Sequence, residues 1–276
     1  MNLKYAICHE LFEGWEWERQ CEFIAATGYS GIEVAPFTIN EDARKIGPQT
    51  LSLMRTCAES HGLQVIGLHW LLAKTHGLHL TTSDAAARQR AAEYLSVLGR
   101  MCAALGGDVL VFGSPDQRNV EDGMSTDQAM ANAAEVFTSI MPALADAGVR
   151  LCMEPLTQKE TNFVNTCAQA MELVRMVNHP NICLHQDVKA MLGAENETIS
   201  ELIFRHKNDV GHFHVNDTNL LGPGMGDTDY KPILNALIES DYAGWVSVEV
   251  FDYSPGAEVI AKKSLQYMQK IVAELP

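Results

Sequence analysis

Short apolar runs recur eight times along this chain of 276 residues, and each is followed by a longer amphipathic stretch with helical spacing. The runs are rich in Val, Ile and Leu and have the length of barrel strands. They predict strands at 4–8, 31–35, 64–69, 108–113, 149–156, 182–188, 210–216 and 245–251. The stretches between them predict helices at 15–27, 49–61, 84–105, 125–147, 168–177, 199–206, 231–240 and 255–273.

Glycines end several of these predicted helices and mark the repeat. Gly28, Gly62, Gly106 and Gly148 each follow a helical pattern, where a left-handed cap is wanted before the next strand. Strands that are apolar on both faces indicate a parallel sheet. Because no linker divides the eight units, we expect one (β/α)8 TIM barrel domain over residues 1–276. A doubly wound open sheet is the alternative, but residues 8–12 lack the Gly-rich turn typical of it.

The charge of the chain limits its partners. Its 20 basic and 35 acidic side chains give a net charge of −15. Nucleic acids and anionic membrane surfaces attract Lys and Arg, so we expect neither as a partner. The first residues lack a signal-peptide core, and no run approaches the ~20 apolar residues of a membrane helix. These features predict a cytoplasmic protein.

The seven cysteines do not form a recognisable framework. Their number is odd and none lies in a C-x-x-C pair, so we expect no disulfide scaffold and no structural zinc site. Cys8, Cys152 and Cys183 lie within predicted strands, where small buried thiols are the simplest interpretation.

Polar side chains near the ends of the last four strands are the strongest functional signal. They are Glu154, Asp187, His214 and Glu249. The active site of a (β/α)8 barrel lies at the carboxyl ends of its strands, so these side chains should converge. Three carboxylates and one imidazole suit Mn²⁺, Mg²⁺ or Co²⁺ better than zinc. A buried network without metal is the alternative. Glu33 and His69, at the ends of strands two and three, are candidates to line the same open end of the barrel.

Residues 153–166, Met-Glu-Pro-Leu-Thr-Gln-Lys-Glu-Thr-Asn-Phe-Val-Asn-Thr, form the most specific motif. It resembles the Glu-Pro motif of the sugar isomerase/epimerase family with a xylose isomerase-like barrel, nearest to the D-tagatose and D-psicose 3-epimerases. From Glu154, the next anchors follow at intervals of 33, 27 and 35 residues, close to the spacing in that family. The loop at 222–227 also resembles the family, and the similarity covers essentially the whole chain.

The resemblance implies a role for each of these residues. Glu154, Asp187, His214 and Glu249 would bind one divalent ion, with Mn²⁺ first and Mg²⁺ or Co²⁺ as alternatives. Glu154 and Glu249 would also be the acid/base pair, because epimerisation removes a proton from one face of a carbon and returns one to the other. The ion would stabilise the cis-enediolate between these steps. The candidate substrate contacts are Glu160, His69, Glu33 and His185.

Two departures from the epimerase pattern concern the substrate. The epimerases place a substrate-contacting His where this chain has Ala190, and an Arg where it has Leu220. Loss of two donors should change the preferred sugar. Lys189 is a candidate replacement, if the strand becomes irregular there. We therefore expect a ketose or keto-sugar derivative as the small-molecule carbohydrate substrate.

Other functions are compatible with parts of the pattern. A nuclease resembling endonuclease IV would share the barrel, but the charge of −15 opposes it. A barrel that binds sugar without catalysis is a third hypothesis, opposed by the complete ligand set. A phosphorylated sugar has weak support, since no cluster of Lys and Arg marks a phosphate site and Arg118 or Lys159 alone is not enough to indicate one. Barrels of this family often pair, so a homo-oligomer, either a dimer or a tetramer, is expected.

Trp70 and Met225 could line a subunit interface or the substrate mouth, with core packing as the simplest interpretation.

Overall fold

Eight parallel strands pair in chain order and close into a barrel in the computed structural model, which describes residues 3–275. The barrel closes between β1 and β8, where Ala6 pairs with Ser247. This architecture confirms the predicted (β/α)8 fold. The strands are β1 (Lys4–Cys8), β2 (Gly31–Val34), β3 (Gln64–Leu68), β4 (Val109–Phe112), β5 (Arg150–Met153), β6 (Ile182–Asp187), β7 (Val210–Val215) and β8 (Trp245–Val248).

Helices follow the strands along the chain, and neighbouring helices pack on one another. The α-helices of the described residues are α1 (Trp17–Thr27), α2 (Pro48–Ser60), α3 (Ala85–Leu105), α4 (Thr126–Ala147), α5 (Cys167–Val177), α6 (Val188–Ala194), α7 (Ile199–Arg205), α8 (Tyr230–Glu239) and α9 (Ala257–Ala273). As predicted, α1, α3 and α4 end at left-handed glycines, which return the chain to the next strand. Between residues 3 and 275, no helix is both long and apolar enough to cross a membrane.

Side chains on each strand alternate between the surrounding helices and the barrel interior. On β7, Phe213 belongs to the apolar core cluster, whereas His212 and His214 reach across the interior to Glu33 on β2. The interior is therefore polar toward the carboxyl ends of the strands. Below that level Val109, Val111 and Cys152 form a separate small apolar cluster.

Most strands end earlier than predicted, although each begins within one residue of its predicted start. Both β5 and β8 stop three residues early. In β5 the reason is Pro155, which has no N–H to continue the ladder, while the N–H of Glu154 still donates to the carbonyl of Phe112 at 3.1 Å. The early ends place Glu154 and Glu249 one residue beyond their strands, at the barrel mouth.

Helix α6 was not predicted, and it corrects the end of strand six. The prediction extended that strand through Val188, but Asp187 ends it and caps α6. Its Oδ1 accepts the N–H of Ala190 at 2.7 Å, an N-cap contact that Asp favours. Lys189 consequently lies in the first turn of a helix, where strand alternation no longer decides its direction.

The cysteines carry free thiols. Cys8 and Cys152 are buried, as predicted, whereas Cys183 is partly exposed, so the expectation of a buried thiol was wrong there. The Sγ atoms of Cys152 and Cys183 lie 3.4 Å apart on adjacent strands.

A fully buried guanidinium fixes the loop that carries Glu154. Arg118 is 0% exposed and donates to the carbonyl of Glu154 at 2.6 Å and to the carbonyl of Val164 at 3.2 Å. Burial lowers the pKa of Arg118 to about 10, which keeps the group charged at neutral pH. Because both donors serve backbone carbonyls, Arg118 is a structural group and offers no phosphate contact.

Replacing this guanidinium should destabilise the barrel. In Arg118→Lys one ammonium nitrogen replaces the planar fork whose two nitrogens each serve one carbonyl, and the free energy of unfolding should fall by about 2 kcal/mol, the scale of a buried charged hydrogen bond. The matched control is Arg205→Lys, since Arg205 is exposed and pairs with Glu197 at the surface. Urea unfolding followed by circular dichroism measures both variants. Equal effects at the two positions would contradict this role of Arg118.

Candidate metal centre and cavity

Four of the predicted site residues converge at the carboxyl ends of β5 to β8. Glu154, Asp187, His214 and Glu249 each offer one ligand atom, and these four atoms lie within 4.8 Å of one another. All four side chains are buried, with exposed fractions of 7%, 2%, 0% and 5%. The last four strands thus bring the predicted ligand set together in one place.

Burial and mutual repulsion shape the ionisation of the carboxylates. Burial and the negative charges of Glu249 and Asp187 raise the pKa of Glu154 well above its ordinary value. Burial likewise raises the pKa of Asp187 to about 6. Although burial acts to raise the pKa of Glu249, the imidazoles of His214 and His69 outweigh it and hold that pKa well below the usual range. The centre therefore lacks enough positive charge for all three carboxylates.

Backbone and amide groups orient Asp187. Its Oδ1 caps α6, and its Oδ2 accepts from the side-chain amide of Asn216. The Asn216 carbonyl oxygen in turn accepts from the hydroxyl of Tyr230, and its side-chain oxygen accepts the N–H of Lys189 at 2.8 Å. Both Asn216 and this network escaped the sequence reasoning, and no motif marks them.

Glu33 lies beneath the centre and does not form part of the cavity wall. It is 0% exposed, and its carboxylate contacts His212 at 2.9 Å and Nε2 of His214 at 3.1 Å. Although burial acts to raise the pKa of Glu33, the two imidazoles hold it well below its ordinary value. The structure thus places Glu33 where it orients His214.

His69 connects the centre to an acidic residue that the sequence reasoning missed. Its Nδ1 lies 3.0 Å from Glu249 Oε1, and its Nε2 lies 2.8 Å from Glu10 Oε2. Although burial acts to lower the pKa of His69, the charge of Glu10 raises it well above its ordinary value. Glu10 lies in a short 3-10 helix, His9–Phe12, directly after β1. Only its position at a strand end could have indicated a role.

His185 is also enclosed. It is 0% exposed, neither ring nitrogen has a hydrogen-bond partner, and its Nε2 lies 3.9 Å from Glu154 Oε1. Burial and the neighbouring imidazoles of His214 and His212 lower its pKa well below the ordinary value, which favours a neutral ring. Like Glu33, it does not form part of the cavity wall.

A cavity of about 300 Å³ opens above the centre. Its wall includes Glu154, Glu249, His69 and Glu160 among the predicted site residues. Glu160 is held by the ammonium of Lys189 at 2.7 Å and by the hydroxyl of Thr157 at 2.7 Å. The Lys189–Glu160 ion pair therefore lies beside the cavity.

Gly113, the residue directly after β4, leaves room for the carboxylate of Glu154. A methyl group at Gly113 would lie 2.3 Å from Glu154 Oε2, well inside contact distance.

Trp70 also contacts the centre, since its indole N–H donates to Glu249 Oε1 at 3.0 Å. It is 38% exposed and lines the cavity, so core packing was the wrong interpretation of Trp70.

Comparison with known proteins agrees with this architecture. The L-ribulose 3-epimerase of Methylomonas sp. (strain DH-1) is 24% identical over 230 residues, which cover 82% of this chain and 76% of that protein. The D-psicose 3-epimerase of Agrobacterium fabrum (strain C58) is 26% identical over 258 residues, 90% of this chain and 85% of that protein. A crystal structure of D-psicose 3-epimerase with D-tagatose from Clostridium cellulolyticum H10 superposes with a TM-score of 0.85 at 18% identity, covering 98% of this chain and 99% of that one, and shares its fold. The sequence model described as the xylose isomerase-like TIM barrel matches residues 21–271, and this chain belongs to that family.

Proposed function

We propose that this chain is a divalent-metal-dependent sugar epimerase or isomerase that acts next to the carbonyl of a ketose or keto-sugar derivative. The observation that carries the proposal is the convergence of Glu154, Asp187, His214 and Glu249, two of which line the cavity. The likeness to enzymes named as ketose 3-epimerases supports it.

The donor set fits a hard divalent cation. Three carboxylates and one imidazole are buried together, and burial, followed by the negative charge of neighbouring carboxylates, raises the pKa values of Glu154 and Asp187. We assign Glu154, Asp187, His214 and Glu249 as ligands, with Mn²⁺ as the first candidate and Mg²⁺ or Co²⁺ as alternatives. When bound, the ion supplies Lewis-acid stabilisation of the oxygens that become negatively charged.

Glu154 and Glu249 are suited to move the proton. They directly follow β5 and β8, which are separated by β6 and β7, so their carboxylates approach the cavity from different sides. One carboxylate takes the proton from the carbon beside the carbonyl, giving a cis-enediolate, and the other returns a proton to the opposite face. The C–H bond that breaks is replaced by a new C–H bond, so the step needs no oxidant or reductant.

The surrounding residues orient this machinery. With Nδ1 of His214 toward the ion, its Nε2–H would donate to Glu33, a carboxylate–histidine arrangement that fixes the ring. His69 and Trp70 hold Glu249 from the side of the cavity. Glu160, fixed by Lys189, is placed to accept from a substrate hydroxyl. We assign no direct substrate contact to Glu33 or His185, because both are enclosed.

Deuterium exchange tests the proton transfer. The Mn²⁺-loaded protein in D₂O should incorporate deuterium beside the carbonyl of its substrate from a panel of ketoses and keto-sugars. Glu154→Gln and Glu249→Gln should each lower the exchange rate by about 10²- to 10⁴-fold, the usual contribution of a positioned acid/base group. Glu172→Gln, on the exposed face of α5, is the control and should exchange at the normal rate. Full exchange by either active-site variant would contradict its assignment.

Metal binding is tested separately from turnover. The purified chain should bind one Mn²⁺ per chain by elemental analysis, and chelation should lower its melting temperature, since an ion that binds only the folded state stabilises it. Asp187→Asn should weaken Mn²⁺ binding by about 100-fold or more, because even partners of ligands contribute 10- to 100-fold. Asp146→Asn, exposed on α4, is the matched control in the same calorimetric titration. Equal affinity of both variants would remove Asp187 from the ligand set.

A cytoplasmic location, the absence of nucleic-acid partners and assembly into a dimer or tetramer stay predictions. Sedimentation velocity of the purified protein measures the last of these.

A further inference from the structure

Two thiols face each other inside the barrel, below the metal centre. Cys152 and Cys183 are paired in the parallel register of β5 and β6, and their Sγ atoms lie 3.4 Å apart. Both pack on the small apolar cluster of the interior, and neither contributes to the cavity wall. Four residues of β6 separate Cys183 from Asp187, about 13 Å at the rise of a strand. The reactions of Cys183 therefore take place away from the substrate cavity.

The backbone already holds the two thiols at a separation that a disulfide can span. Neighbouring strands lie about 4.8 Å apart, and disulfides join Cα atoms that are about 4.4–6.8 Å apart. The sulfurs need to approach from 3.4 Å to about 2.0 Å, a change within reach of side-chain rotation. Gly211 on β7 leaves the room, because a methyl group there would overlap Sγ of Cys183 and lie 2.9 Å from that of Cys152.

The surroundings make Cys183 the more reactive of the two thiols. Its hydrogen bond with Cys152 and the guanidinium charge of Arg150 lower the pKa of Cys183, although burial and the carboxylates of Asp108 and Asp209 act to raise it. Arg150 is held in place by Asp108, with 2.8 Å between Nη2 and Oδ2. The thiolate is the form of cysteine that attacks an oxidant. Cys183 is also partly exposed, whereas Cys152 is buried, so a small oxidant reaches Cys183 first.

We propose that Cys152 and Cys183 form a peroxide-reactive dithiol that closes to a reversible disulfide between β5 and β6. The Cys183 thiolate attacks one oxygen of hydrogen peroxide: an S–O bond forms, the O–O bond breaks, and hydroxide leaves as the sulfur is oxidised to a sulfenic acid. The Cys152 sulfur then attacks that sulfur: an S–S bond forms, the S–O bond breaks, and the hydroxide leaves with the thiol proton as water. Two thiols and one peroxide thus give one disulfide and two water molecules.

The neighbouring thiol keeps the oxidation reversible. A sulfenic acid without a partner reacts with more peroxide to give a sulfinic acid, which thiol reductants do not restore. Cys152 lies against the Cys183 sulfur and traps the sulfenic acid before that step. Transient disulfides of this kind are the type that occurs in reducing compartments. The modification does not depend on the epimerase activity proposed above.

Thiol counting and peptide mapping test the proposal. The purified chain is reduced, treated with a small excess of hydrogen peroxide, and denatured in the presence of a thiol-blocking reagent. The number of free thiols should fall by two, from seven to five, and dithiothreitol should restore it. Mass spectrometry should find one pair of disulfide-linked peptides, containing Cys152 and Cys183. If peroxide consumes thiols without producing that peptide pair, the proposal is overturned.

Substitutions of the cysteines assign the two roles. In Cys152→Ser the Cys183 sulfenic acid should persist, add dimedone and advance to sulfinic acid with more peroxide. Cys152→Ala, which buries no hydroxyl group, should behave in the same way. In Cys183→Ser no dimedone adduct should form at Cys152. Cys57→Ser, at a partly exposed position of α2, is the control and should form the disulfide at the normal rate. Equal dimedone labelling of Cys152 and Cys183 contradicts the assignment of Cys183 as the attacking thiol.

A charge variant tests why Cys183 reacts. Arg150→Gln removes the guanidinium charge that favours the thiolate, so disulfide formation should slow by about three- to tenfold. Arg175→Gln, exposed on α5, is the matched control and should react at the normal rate. Samples blocked at timed intervals after peroxide addition give these rates by mass spectrometry. Equal rates for the two arginine variants contradict activation of Cys183 by Arg150.

Discussion

Three carboxylates buried around one imidazole at the mouth of the barrel are the constraint on which the site depends. Like charges at this distance cannot all ionise in a buried environment without compensation. The chain supplies part of that compensation itself, because His69 and His214 contact Glu249 and two imidazoles contact Glu33. Glu154 and Asp187 receive less, and burial together with the charge of Glu249 raises their pKa values. A divalent cation is the simplest group that would remove it.

The strands that carry these charged side chains are stabilised by apolar packing against the surrounding helices. Outward side chains such as Phe213 and Val246 are buried under the helices, so the apolar core lies mainly outside the barrel wall. The interior near the mouth is thereby free to be polar. Buried polar groups there are nearly all paired with one another, and His185 is the clearest exception. Separate layers for stability and for chemistry are typical of barrels.

The sequence predicted the barrel and the converging residues for the same reason. Strands in a (β/α)8 barrel all end at one face, so Glu154, Asp187, His214 and Glu249 meet although up to 95 residues separate them. The start of each strand was also predictable, because a glycine or polar residue precedes each apolar run. Helix α6 was not, since the same Asp187 serves both as a strand end and as a helix cap. The pattern of apolar residues carries no signal for such a double role.

The burial and the hydrogen-bond partners of individual site residues depend on three-dimensional packing and could not be predicted from the sequence. Nothing in the local sequence indicates that Arg118 is fully buried, or that the ammonium of Lys189 pairs with the carboxylate of Glu160. Glu33 was predicted at the mouth and His185 as a substrate contact, yet neither forms part of the cavity wall, because strand-end position alone does not give depth within the barrel. Depth depends on the stagger between strands, and irregular register occurs in β2 and β6, which carry these two residues.

The absence of a side chain at Gly113 links two positions of the sequence. Its hydrogen faces Glu154 Oε2 so closely that even a methyl group would occupy the carboxylate's place. In any barrel built on this backbone, a larger residue at the end of the fourth strand is therefore incompatible with a glutamate held in this pose at the end of the fifth. The two positions must change together, and the residue that follows Phe112 in a related chain indicates whether that chain can keep the same proton-transfer geometry.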